Sequence, residues 1–157
     1  MKQQTLVLLT ALVAAVAGAQ AEEDSYFEAN ELGLLVYGSW VDKVDSDVAF
    51  GGSVTYFLSR HVGLGAGTRL DNYDGTFIDN VLGELYLRLP LAELPLAPYA
   101  VGTVGYSFET EEAFCSAGAG AELRFNAKWG VFGDVQWQIN DDTDDGIGIR
   151  LGVHVNF

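Results

Sequence analysis

The chain has 157 residues, 49% of them hydrophobic, with 8 Lys and Arg against 22 Asp and Glu for a net charge of −14. This length suits one domain, and the charge argues against nucleic acid and against attraction to anionic lipid. The single cysteine, Cys115, rules out an intrachain disulfide framework and reads as a small apolar filler.

The chain opens as an exported protein does. Lys2 supplies a positive start, Leu6 to Ala17 form an apolar run, and Ala19-Gln20-Ala21 is a small-x-small cleavage site. Residues 1–21 are expected to be a cleaved signal peptide and 22–157 the mature domain. The apolar run is short for a membrane anchor and acidic residues follow at once. Glu22 and not a Cys stands directly after the cut, which argues against a lipoprotein. No later stretch approaches the roughly 18 consecutive apolar residues of a membrane helix. A membrane location then requires a closed barrel, because only helices and closed barrels satisfy every backbone group in lipid.

Eight segments alternate with the period of two that marks a half-buried strand. The first, Glu31 to Val41, sets Leu32, Leu34, Val36 and Trp40 against Glu31, Gly33, Tyr37 and Ser39. The second, Val48 to Leu58, sets Val48, Phe50, Val54, Tyr56 and Leu58 against Ala49, Gly51, Ser53 and Thr55. The third, Val62 to Asp71, sets Val62, Leu64, Ala66, Thr68 and Leu70 against Gly63, Gly65, Gly67, Arg69 and Asp71. The fourth, Asn80 to Leu89, sets Val81, Leu85, Leu87 and Leu89 against Leu82, Glu84, Tyr86 and Arg88.

The fifth segment, Tyr99 to Phe108, has two readings, because either face could be the apolar one. The sixth, Phe114 to Phe125, sets Cys115, Ala117, Ala119, Ala121, Leu123 and Phe125 against Ser116, Gly118, Gly120, Glu122 and Arg124. The seventh, Trp129 to Ile139, sets Trp129, Val131, Val135, Trp137 and Ile139 against Gly130, Phe132, Asp134, Gln136 and Gln138. In the last, Ile147, Ile149, Leu151, Val153, Val155 and Phe157 alternate with Gly148, Arg150, Gly152, His154 and Asn156. Connectors also alternate. Residues 58–61 and 126–128 are short, while 42–47, 71–79, 109–112 and 140–145 are acidic. This pattern predicts an all-β, eight-stranded, antiparallel up-and-down transmembrane barrel, the smallest even-stranded size that bacterial barrels use. The connector 90–98 carries three prolines, which are expected to stop strand pairing there.

The two faces decide which way the barrel is turned. The aliphatic face carries no charge, whereas the other carries Glu31, Arg69, Asp71, Glu84, Arg88, Glu122, Arg124, Asp134 and Arg150 among many glycines. An Arg or Lys facing lipid near the midplane costs about 2–4 kcal/mol, so one-sided charge is expected where the other side meets lipid. Glycine beside long charged side chains suits a narrow filled lumen. Glu84 and Arg88 share one strand face, as do Glu122 and Arg124, and paired charges can be buried where single ones cannot. Arg69, Glu84, Arg88, Glu122, Arg124, Asp134 and Arg150 are therefore the candidate lumen network. Aromatics at segment ends suggest two interfacial girdles: Trp40 and Trp137 at the loop ends, and Tyr56, Tyr99, Phe125, Trp129 and Phe157 at the turn ends.

The signal peptide, the eight segments, the mixed-charge face and the stretch Pro98 to Tyr106 resemble the small bacterial outer-membrane barrels of the OmpX type and the OmpA transmembrane domain. The terminal Val153-His154-Val155-Asn156-Phe157 resembles the signal that the barrel-assembly machinery reads, with Val153, Val155 and Phe157 as its apolar positions. The resemblance implies a Gram-negative-type outer membrane, contact with lipid and lipopolysaccharide, an interior salt-bridge network, no enzymatic activity and no cofactor or metal centre.

A structural or surface-interaction role is the first reading of function. A lipid-modifying enzyme is an alternative, and it needs a nucleophile and a histidine base. His61 and His154 are the only histidines; His61 lies in a turn without an obvious serine partner, and the lumen-facing His154 has Ser53, Ser59 and Ser116 as conceivable neighbours. A soluble periplasmic lipocalin-like barrel, with the apolar face inward, is another. Divalent cations at the acidic loops are a weaker partner reading: Asp141, Asp142, Asp144 and Asp145 crowd one hairpin, but turns favour Asp in any case.

Overall fold

The computed structural model describes residues 26–42, 47–70, 80–92, 94–108, 111–140 and 145–157. The expected signal peptide and most of the acidic loop residues lie outside them. Eight strands follow one another: β1 Glu31–Asp42, β2 Asp47–Phe57, β3 Val62–Leu70, β4 Asn80–Arg88, β5 Leu96–Ser107, β6 Glu112–Arg124, β7 Trp129–Asn140 and β8 Gly146–Asn156. Each pairs antiparallel with the next, and β1 closes on β8 from Gly33↔Asn156 to Asp42↔Ile147. Closure leaves no unpaired strand edge. The eight-stranded up-and-down barrel read from the alternation is the fold observed.

The β5 phase is resolved. Ala97, Tyr99, Val101 and Thr103 are buried, while Val104 and Tyr106 face out. Tyr99, expected in the outer girdle, therefore belongs to the lumen, where it is 7% exposed. The physical reason is polar: its hydroxyl donates to Asp134 Oδ2 at 2.8 Å. The proline connector is shorter than expected, because β5 already runs from Leu96 and Pro98 pairs with Ala121 of β6. Pairing with β4 ends one residue later, at Arg88↔Tyr99. The missing Pro98 N–H points to the β4 side, where only its carbonyl is used, accepting from Leu89 N at 2.8 Å.

Between the two rims, the outward positions of the strands carry no charge among the residues whose side chains are described, and they expose aliphatics such as Val36, Val54, Leu64, Leu85, Val135 and Leu151. The inward positions bury Glu84, Arg88, Glu122, Arg124, Asp134, Arg150 and His154. A soluble barrel with an apolar cavity would show the opposite arrangement, so the lipocalin-like alternative does not hold. An apolar belt around a charged interior is the arrangement that lipid as solvent requires.

Inward glycines accommodate inward rings. A Cβ on Gly63 would lie 2.7 Å from the Phe57 ring, and one on Gly51 2.5 Å from Tyr37. Gly120 is tighter still, because its Cβ would meet the Gly133 carbonyl and come within 2.5 Å of Asp134 Cβ. Backbone cannot yield as a flexible side chain can, so Gly120→Val is expected to destabilise the barrel by about 1–3 kcal/mol. A lower urea midpoint for unfolding in vesicles is the result to look for; an unchanged midpoint would count against a close-packed lumen.

Candidate functional site

The interior is divided into two ion-pair clusters and an apolar layer between them. The upper cluster, on the loop side, centres on Arg150 of β8. Its neighbour in the β7–β8 register is Asp134. Arg150 Nε and Nη2 donate to the two oxygens of Asp134, both at 2.9 Å, and Nη1 donates to Glu84 Oε1 at 2.5 Å. The bidentate geometry makes this a strong pair. Tyr99 and Gln136 add donors to Asp134, at 2.8 and 3.0 Å. Gln136 in turn accepts from Ser116 at 2.6 Å and Thr103 at 3.2 Å.

The lower cluster, on the turn side, joins β1, β4, β6 and β8. Glu31 receives Arg124 Nη1 at 2.7 Å and Nη2 at 2.8 Å, and Arg88 Nη2 at 3.1 Å. Arg124 Nε also donates to Glu122 Oε1 at 2.8 Å, and Arg88 Nη1 lies 3.7 Å from Glu122 Oε2. Glu122 Oε1 is 2.7 Å from His154 Nδ1, and His154 Nε2 is 3.5 Å from Thr55 Oγ1. With a neutral imidazole, the Nδ1–H serves Glu122 and Nε2 is left as acceptor for Thr55.

Leu35, Tyr37, Phe57, Tyr86, Tyr99, Val101 and Phe132 fill the space between the clusters. Edge contacts hold the rings: Tyr86 and Tyr99 centroids are 5.7 Å apart, Tyr37 and Phe132 6.2 Å. What remains open is small. A lower cavity of about 10 Å³ lies between Thr55, Arg88, Glu122 and His154, and an upper one of about 30 Å³ between Ser39, Arg69, Gln138 and Arg150. These are spaces for about one or two waters each.

Of the expected lumen charges, Glu84, Asp134 and Arg150 form the upper cluster and Arg88, Glu122 and Arg124 the lower. Glu122 and Arg124 bond each other directly, but Glu84 and Arg88, which share a strand face, serve different clusters. Arg69 lines the upper cavity with its guanidinium 5.7 Å from the Phe114 ring centre. The lower cluster also takes in Glu31 and His154. The serines considered as histidine partners do not bond to His154, which meets Thr55 and Glu122 instead. His61 Nδ1 lies 3.1 Å from the Arg88 carbonyl.

Residues 26–30 form a feature that the sequence did not disclose. They fold back into the turn-side mouth, where Phe27 is 1% exposed between the guanidiniums of Arg124 and Arg88, at 4.4 and 4.7 Å from its ring centre. On the outside, Trp40, Phe50, Tyr106, Phe108 and Trp137 project near the loop rim, and Tyr56, Phe125, Trp129 and Phe157 near the turn rim. Phe50, Tyr106 and Phe108 were not among the expected girdle residues. Cys115 also faces out, on β6.

No family model matches the chain, and no curated protein matches it. Solved structures do. A de novo designed transmembrane β-barrel is 18% identical, with a TM-score of 0.63, covering 87% of this chain and 100% of the design. The N-terminal β-barrel domain of OprF from Pseudomonas aeruginosa is 16% identical, with a TM-score of 0.66, covering 83% of this chain and 99% of that domain. The outer-membrane protein OprG from the same organism is 10% identical, with a TM-score of 0.55, covering 85% and 99%. The fold is therefore that of the small transmembrane β-barrels.

Proposed function

We propose that this is an outer-membrane barrel of a Gram-negative-type envelope, without enzymatic activity and without an open channel, with a structural or surface-interaction role. The observation that carries the reading is the filled lumen. Two cross-lumen ion-pair clusters and an aromatic layer leave cavities of only about 10 and 30 Å³. Outer-membrane lipid and lipopolysaccharide are the partners of the apolar belt. Trp40, Trp129 and Trp137, exposed outward towards the two rims, support girdles at the interfaces. The acidic loops remain a candidate for divalent cations, by charge alone. The barrel-assembly machinery is the partner expected during biogenesis.

The lipid-modifying alternative has one supporting arrangement, Thr55–His154–Glu122, which has the order of a nucleophile, base and orienting acid. Its position argues against it. Thr55 is 1% exposed and lines the roughly 10 Å³ cavity, so an acyl ester has no route to the hydroxyl. Single-barrel recordings in planar lipid bilayers test the non-channel reading. The expected result is no steady conductance above the bare bilayer. Sustained, ion-selective steps from the folded protein would overturn it.

A further inference from the structure

The segment before β1 folds back into the barrel mouth and turns there on a single residue. Asn30 sits at φ 60°, a left-handed conformation that Asn tolerates and most residues avoid. This single residue reverses the chain so that Tyr26 to Ala29 turn back beneath the strands. Two bonds fix the reversal from outside the lumen: Asn30 N donates to the Phe57 carbonyl at 2.7 Å, and Tyr56 Oη donates to Asn30 Oδ1 at 3.0 Å.

Beyond the hinge, Phe27 occupies a seat made for a ring. Arg88 is stacked on two rings, with its guanidinium carbon 3.7 Å from the Phe57 centre and 4.7 Å from that of Phe27. Arg124 covers Phe27 from another direction at 4.4 Å. Cation–π contacts are strongest where water is excluded, and the side chains of both arginines are 1% exposed or less. The backbone of the segment joins the same guanidiniums: Arg124 Nη1 donates to the Tyr26 carbonyl, and Arg88 Nη2 to the Glu28 carbonyl at 3.4 Å. Glu28 N completes the contact by donating to Glu31 Oε1 at 2.6 Å.

The holding contacts are made by side chains already neutralised by Glu31 and Glu122. Withdrawing the segment therefore leaves the strand ladder and the ion pairs in place. We infer that residues 26–30 are a hinged lid, latched by Phe27 in the Arg88–Arg124–Phe57 seat, which controls access of water and small solutes from the turn-side mouth to the lower cavity. The lid is a device of access and not of conduction, because the aromatic layer and the Arg150 cluster still block the lumen above it.

The test is the rate at which a small water-soluble methanethiosulfonate labels Thr55→Cys, in a Cys115→Ala background, in the full barrel reconstituted in vesicles. Thr55 lines the lower cavity. Two further changes open the lid by different routes. Phe27→Ala empties the seat, and Asn30→Val forbids the hinge without touching the seat, since a β-branched residue resists positive φ. Folding is checked for each by the mobility difference between boiled and unboiled samples. Labelling at least tenfold faster in both folded variants than in the latched barrel is the expected result. Equal rates in folded variants would overturn the lid. If Phe27→Ala does not fold, Asn30→Val decides. Failure of both to fold would make the segment an integral part of the barrel, and the inference would be wrong.

Discussion

Leu151→Arg is expected to prevent assembly of the barrel. Leu151 lies near the middle of β8, paired with Gly38 on one side and Gly133 on the other, and is 67% exposed on the outer face. Glycine neighbours leave the new guanidinium without a polar partner on that face. The cost for Arg at the midplane is about 2–4 kcal/mol, a large part of a typical net stability of about 5–15 kcal/mol. β8 also closes the barrel on β1, so a defect there acts on closure itself. Leu151→Met keeps volume and polarity and should cost under about 1.5 kcal/mol. The check is gel mobility of unboiled samples after refolding into detergent. Loss of the folded band for Arg and its retention for Met is the expected pair, and equal folding of both would refute the outward facing of this strand.

The second large effect concerns the interior. Arg150→Met removes the cation that, among the described residues, bonds both Glu84 and Asp134, whose side chains are fully buried. Removing one partner of a buried ion pair typically costs about 3–5 kcal/mol, because the remaining charge is stranded without solvent. Tyr99 and Gln136 still bond Asp134, whereas the ion pair of Glu84 with Arg150 is lost. Adding Glu84→Gln and Asp134→Asn to Arg150→Met removes the stranded charges and should recover most of the loss. Urea unfolding in vesicles, followed by tryptophan fluorescence, measures both. Additive damage in the triple variant, with no recovery, would mean that charge stranding is not the source of the effect.

The strands were legible because lipid imposes a simple rule on them. A strand with solvent of one kind outside and a polar interior must alternate, and seven of the eight segments did so with one clear phase. β5 did not. It carries tyrosine and valine on both faces, with Tyr99 and Val101 on one and Val104 and Tyr106 on the other. Local pattern cannot choose between them. The choice is made by Asp134, which is two strands away in the barrel and offers Tyr99 a carboxylate. Pro98 misled for a related reason: a proline interrupts only the side of the strand to which its N–H would point, and that side was already ending.

The charges of the lumen were visible as a set, but their partners were not. Spacing along one strand suggested Glu84 with Arg88. The barrel instead connects across its lumen, so Glu84 of β4 meets Arg150 of β8 while Arg88 meets Glu31 of β1. Such pairings depend on the tilt and stagger of all eight strands together. His154 shows the same effect, finding Thr55 where serines had been considered. The lid was hidden because residues 26–30 lie outside any alternating segment. The sequence signal for it was slight: a Tyr-Phe pair followed closely by Asn30, a residue type that tolerates a reversal, immediately before the first strand.

An apolar face on lipid and a charged face on a filled interior fix where the tryptophans lie. The three tryptophans test this facing directly, since Trp40, Trp129 and Trp137 all project outward at 39%, 50% and 51% exposure. The measurement is tryptophan fluorescence of the reconstituted barrel in vesicles whose acyl chains carry bromine near the headgroup end. Strong quenching relative to unbrominated lipid is expected from all three residues, with bromine near the bilayer centre quenching less. Emission indifferent to brominated lipid, from protein that is folded, would contradict this facing.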